Sequence, residues 1–320
     1  MMLRLACSCV LLCFVAAIVC FGARSVRADE LKVRMVIGTD VVCRAQPSSS
    51  ARAETRLRLG DYLGISKEIR AGGATWYFDE WHVRGLNPTC WVYGPMTTEF
   101  DRSNPEPALL ALVDHMLRRK DRVAFAEYVE AENLLLDPRY LPVLRSSGFL
   151  QFRRLAIIDR AAHSGDGPRL GYDDPLKRAW ARGHTDMLRE FEPAGHWYVP
   201  SEMYWNLYDR YKDAPWADEL AWAAAQATQP GDECYTNCHL GIIVAGPLQY
   251  WTRLPRGAAI GQALREAIAR AGYAMQKSSY ETPERGLLDQ IRNSLSSVTA
   301  PEKSRLLELL DEAQREIPPR

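Results

Sequence analysis

Val41-Val42-Cys43-Arg44-Ala45-Gln46-Pro47-Ser48 opens on a short apolar run and closes on turn residues. Proline fixes φ and serine can bond its own backbone, so the chain should reverse after Ala45. The same rhythm continues downstream. Ala53 to Leu59 and Tyr62 to Ser66 read as strands around a Gly60-Asp61 turn, and Ala71-Gly72-Gly73 marks another reversal. Trp76 to Arg84 is an aromatic strand, Gly85-Leu86-Asn87-Pro88 a turn, and Cys90 to Tyr93 a last strand. β-Branched and aromatic residues with a period near two, punctuated by Gly and Pro, predict a small all-β unit, closed or nearly closed.

Val41–Ser48, Leu57–Asp61, Trp76-Tyr77 and Trp91-Val92 succeed one another in an order that resembles the bacterial SH3 domain family, over about residues 33–95. Trp81-His82-Val83-Arg84 offers a second register for the Trp76-Tyr77 strand. Two positions depart from the family pattern: Cys43 stands where a valine is usual, and Cys90 where a glycine is usual. The resemblance implies that these two strands flank one another, which would bring Cys43 and Cys90 within reach of a disulfide. It also implies a barrel that holds a cell-wall peptide (peptidoglycan) or a segment of an envelope protein. Trp76, Tyr77, Trp81 and Trp91 are then the first contact candidates, although tryptophan in such a barrel also serves as core.

The N-terminus points to export. Arg4 precedes an almost wholly apolar run from Leu5 to Phe21, and Val26-Arg27-Ala28 resembles a cleavage site, so residues 1–28 read as a signal peptide. An uncleaved anchor is the alternative. Val19 argues against lipid attachment at Cys20. Removal of the segment leaves 37 basic and 40 acidic residues, with nothing to grip nucleic acid. No later stretch is apolar enough to span a membrane. Cys43, Cys90, Cys234 and Cys238 remain, an even number suited to two disulfides in the periplasm or outside the cell. Of three pairings, sequence neighbourhood favours Cys43–Cys90 and Cys234–Cys238.

Beyond residue 100 the periodicity changes to helical. Leu109, Leu112, Val113, Met116 and Leu117 recur at 3.6 spacing behind Asn104-Pro105. Helices are expected at about 121–136, 149–162 and 175–192, then from Ser201, Pro215, Gly261, Thr282 and Pro301. Pro193-Ala194-Gly195 invites a subdomain break near 193–200. The expected architecture is therefore α+β and multidomain: a small SH3-like β-barrel at 29–100, then an all-α domain at 101–320, as a helical bundle or irregular α-solenoid.

The search for chemistry in the sequence returns little. The six histidines are scattered, and no nucleophile elbow or phosphate-binding glycine loop occurs. The Gly- and Asp-rich loop from His163 to Asp174 lacks the alternating oxygen ligands of a calcium loop. Cys234-x-x-x-Cys238-His239 carries one residue too many for the usual c-type haem motif, which leaves haem or redox chemistry as a minor alternative. No cofactor or metal is expected. The sequence reads as an exported, non-catalytic binding or scaffold protein. The alternative is a cell-envelope enzyme whose site is a cleft of convergent acids in the helical part.

Overall fold

A computed structural model describes residues 32–82, 89–119, 123–164, 174–191, 196–227, 234–278 and 280–317. The expected signal segment, the turn at 85–88, most of the His163–Asp174 loop and residues 193–195 lie outside the described residues. Seven strands come first: β1 (Lys32–Val36), β2 (Val41–Arg44), β3 (Ala53–Leu57), β4 (Tyr62–Ala71), β5 (Ala74–His82), β6 (Cys90–Tyr93) and β7 (Thr97–Glu99). They form one antiparallel sheet in the order β3-β2-β6-β5-β4-β1-β7. Helices dominate the rest of the chain, which is therefore mixed, with its sheet N-terminal to its helices.

The sheet does not close into a barrel. β3 and β7 stand at opposite edges and share no ladder. Alternation still assigns two faces to the sheet. Val36, Val41, Cys43, Leu57, Leu63, Ile65, Cys90 and Val92 gather into one small core on the inner face, with Tyr77 and Met96 packed against it. On β1 the neighbouring Met35 points the other way and is fully buried among helical residues. That end of the sheet is therefore covered by helices and not by a closing strand.

The covering helices are α1 (Glu106–Arg118), α2 (Phe125–Leu135), α3 (Leu141–Ser146) and α4 (Gly148–His163). Met35, Ile37, Leu59 and Phe100 join Leu109, Leu112, Met116 and Leu135 in a single cluster. Burying each such side chain contributes about 1.5–3 kcal/mol. The 100/101 boundary is thus a change of secondary structure across which the core is continuous. The β3–β4 turn shows how close the approach is. Gly60 adopts φ +78°, and a Cβ there would meet the Leu134 side chain at 2.7 Å. The Arg119 guanidinium donates to Thr39 Oγ1 at 3.1 Å and to Glu127 at 2.8 Å, tying the β1–β2 turn to α2.

The remaining elements are α5 (Pro175–Arg182), a two-stranded hairpin β8 (Arg189–Phe191) and β9 (His196–Tyr198), then α6 (Ser201–Tyr211), α7 (Ala217–Gln226), α8 (Thr236–Ala245), α9 (Pro247–Arg253), α10 (Ile260–Lys277), α11 (Arg285–Ser294) and α12 (Glu302–Arg315). The helix expected at 175–192 stops at Arg182, and its last residues pair as β8. A third core spans these elements. It takes in Ala181 and Leu188 before residues 193–200, and Val199, Trp205 and Trp251 at or beyond them, so packing continues across that segment. Among the described residues no helix is long and apolar enough to cross a membrane.

Candidate functional site

The four aromatic residues singled out on the sheet do not share one face. In the register of β5 and β6, Trp76 opposes Tyr93, Tyr77 opposes Val92, and Phe78 opposes Trp91. Tyr77 therefore points to the inner face, where the Arg34 guanidinium lies 4.1 Å from its ring centre. Trp76, Phe78, Trp91 and Tyr93 point outward and belong to no core cluster. The two cross-strand pairs are in ring contact, with centroids 5.4 Å apart for Trp76–Tyr93 and 5.1 Å for Phe78–Trp91. One strand from Ala74 to His82 carries both Trp76 and Trp81, and Trp81 opposes Gly64. The Trp81 side chain lies outside the described residues.

The members of this outer face differ in what they can offer. Trp76 is only 4% exposed and its indole N–H donates to the Ala71 carbonyl at 3.3 Å, so it serves the hairpin. Phe78, Trp91 and Tyr93 are half-buried. Beside them on β4, Ile69 opposes Trp76 and is 38% exposed, while Lys67 opposes Phe78 with its ammonium 5.3 Å from the ring centre. Arg44 on β2 opposes Trp91. The face is an aromatic strip with cations at both margins. The helical cluster that covers β1 contains no residue of β5 or β6 among the described residues. Sequence reasoning missed Phe78 and Tyr93. Both could have been found by the period-two rule, since Phe78 is two residues from Trp76 and Tyr93 two from Trp91.

Both expected disulfides are present. Cys43–Cys90 joins the hydrogen-bonded neighbours β2 and β6 on the inner face, with Cα atoms 5.6 Å apart. Cys234–Cys238 bridges the turn that enters α8, with Cα atoms 5.1 Å apart. With its sulfurs joined to each other, the second pair is closed to thioether attachment of haem, and His239 stacks on Tyr273 at 5.5 Å. Burial, assisted by the charges of Arg270 and Lys277, pushes the His239 imidazole below its ordinary pKa. Among the described residues no group of His, Cys, Asp or Glu is arranged to hold a metal ion.

Two further constellations in the helices could in principle carry chemistry. The first is Glu132, 2% exposed on α2. Its Oε1 accepts from Arg154 at 2.9 Å and faces His184 Nε2 at 2.9 Å, while its Oε2 accepts the Trp180 indole N–H at 3.2 Å. Both oxygens are engaged inside the protein, which makes this a buried tie between α2, α4 and α5. The second is a groove of about 700 Å³ between α7 and the start of α10, holding Asp218 and Glu219. Asp218 accepts from the Tyr250 hydroxyl and from the Ala258 N–H at 2.5 Å. Glu219 pairs with Arg153 at 2.6 Å. Both acids of that cleft are committed as structural acceptors.

No protein-family model matches the chain, and no curated protein or solved structure is significantly similar to it.

Proposed function

We propose that this chain is an extracytoplasmic binding protein that holds an extended peptide against the outer face of β4–β5–β6. The cross-strand pair Phe78–Trp91, with Tyr93 beside it, on the half of the sheet left free by the helical core, carries this reading. Aromatic rings held in pairs offer rigid apolar contact at little entropic cost, which is why such residues dominate binding energy at interfaces. Lys67 and Arg44 at the margins favour a ligand with carboxylates. Cell-wall stem peptides have that chemistry, and the resemblance of residues 33–95 to bacterial SH3 domains points the same way. Two disulfides are compatible with an oxidising compartment.

The test is co-sedimentation of residues 29–320 with purified cell-wall sacculi, beside Trp91→Ala and Phe78→Ala variants whose fold is checked by near-UV circular dichroism. Wild type should pellet, and each variant should lose affinity by roughly tenfold or more. Pelleting of folded variants at the wild-type level would remove the aromatic strip from the reading. Failure of wild type to pellet would move the search to envelope proteins.

A further inference from the structure

We infer that the groove between α7 and the first turns of α10 is a second binding site, for an uncharged oligosaccharide. One wall is α7, which presents Asp218, Glu219 and Trp222 at i, i+1 and i+4, with Trp216 at its start. The facing wall is Ala258, Ala259 and the α10 face carrying Gly261, Gln262 and Arg265. Phe149 of α4 closes one side. A volume of about 700 Å³ lies in the range of sites that enclose a small ligand.

The walls are held in place before any ligand arrives. Asp218 fastens the Ala258 N–H to α7 and accepts the Tyr250 hydroxyl, and the Tyr250 oxygen in turn accepts the Ala259 N–H at 2.8 Å. Burial first, then the hydrogen bond to Asp218, raises the Tyr250 phenol well above its ordinary pKa, so this tie keeps its proton at any physiological pH. Gly257 permits the arrangement, because a Cβ there would collide with the Tyr250 hydroxyl.

The charge pattern selects the ligand class. Each ionised side chain in the groove already has a partner: Asp218 with Tyr250 and the Ala258 N–H, Glu219 with Arg153 at 2.6 Å, and Arg265 with Glu302 at 2.7 Å. A charged ligand would have to compete with a pre-formed pair at one of these groups. Paired carboxylates keep free lone pairs, however, and can accept from hydroxyls. Half-buried Trp216 and Trp222 add aromatic surface, and Gln262 on the groove wall adds an amide with two donors and an acceptor. Aromatic planes beside fixed acceptors and an amide match a molecule with apolar faces and hydroxyl edges, which is a sugar chain.

Isothermal titration of residues 29–320 with β-1,4-linked tetrasaccharides of glucose and of N-acetylglucosamine, and with anionic tetragalacturonate, tests the assignment. At least one neutral tetrasaccharide should bind saturably below about 1 mM, and tetragalacturonate at least roughly tenfold more weakly. Trp222→Ala should weaken binding about tenfold or more. Because Trp222 also packs edge-on against Tyr250, Gln262→Ala on the groove rim supplies a second variant that leaves the core intact, with an expected loss of about threefold or more. Tyr273→Ala, on the exposed far end of α10, should bind as wild type. The assignment falls if no neutral tetrasaccharide binds, if tetragalacturonate binds as tightly, or if both groove variants match wild type. None of these results depends on the sheet, whose peptide reading is tested separately by its own variants.

Discussion

Among the described residues the inner face of the sheet encloses eight buried side chains, two of them a bonded cysteine pair, whereas the cluster from α4 onward gathers thirty-eight. A core of the first size cannot by itself offset the entropy of ordering seven strands. The sheet meets the deficit twice, by a covalent tie across β2 and β6 and by giving the outer face of β1 to the helices. The helical part has apolar area in excess and can accommodate a buried charge cluster at Glu132. The two surfaces proposed for binding obey the same division. The sheet's strip consists of cross-strand rings on an open face, while the helical groove is set between walls that hydrogen bonds hold in place.

The two disulfides turn this contrast into numbers. In the chain-entropy model, a closed loop with a sequence separation of 47 is worth about 4 kcal/mol and one with a separation of 4 about 2 kcal/mol. Cys43→Ala/Cys90→Ala should therefore lower stability in urea by about 4 kcal/mol, and Cys234→Ala/Cys238→Ala by about 2 kcal/mol. Hydrogen exchange should show the first loss concentrated in β2, β3 and β6. Equal losses, or a larger one from the helical pair, would mean that the sheet does not depend on its staple.

Glu132→Ala probes the opposite side of the comparison and should cost about 3 kcal/mol, because it leaves Arg154 and His184 partly buried without their counter-charge. Equilibrium urea unfolding measures it. A loss below about 1 kcal/mol would place the cluster with ordinary surface pairs and not with the core.

What the sequence disclosed was whatever depends on short-range pattern. The strands from Val41 to Tyr93, their turns and the chain order of sheet before helices arise from alternation and from Gly and Pro. The cysteine pairing comes from sequence neighbourhood. The opening between β3 and β7 was not legible, because it depends on Met35 finding helical partners far along the chain. The β8–β9 hairpin was missed for a related reason. Its strands are three residues long, and Met187-Leu188-Arg189-Glu190 has helix propensity, which tertiary pairing overrides. Glu132 was hidden by its charge, which reads as a solvated face. Yet it stands with Tyr128, Ala131 and Leu135 at i, i+3, i+4 and i+7, inside the apolar stripe of α2. The groove joins residues of α4, α7 and α10, and no local pattern could place these together.

The Glu132 cluster also sets a dependence on pH. Burial alone would lower the His184 pKa. The hydrogen bond to Glu132, a second to the Trp180 carbonyl and the Glu132 charge outweigh burial and the opposing Arg154, leaving it above its ordinary 6.5. For Glu132, burial alone would raise the pKa, but the bond and charge of His184 together with Arg154 leave it below its ordinary 4.5. A raised histidine contributes stability that is complete below pH 6.5 and is lost as pH rises through the raised value. A lowered carboxylate contributes stability that is present above pH 4.5 and is lost as pH falls through the lowered value. The pair is thus strongest between pH 4.5 and pH 6.5. His184→Gln keeps a neutral hydrogen-bonding side chain but removes the titration. The stability difference between wild type and this variant should be largest near about pH 5.5 and shrink steadily toward about pH 9, by less than the loss from either the disulfides or Glu132→Ala. A difference that stays flat over that range would mean that His184 titrates alike in the folded and unfolded chain, and one that rises with pH would show that it is neutral in the folded protein. Its bond to Glu132 would then run from a neutral N–H, with Arg154 alone balancing the buried carboxylate.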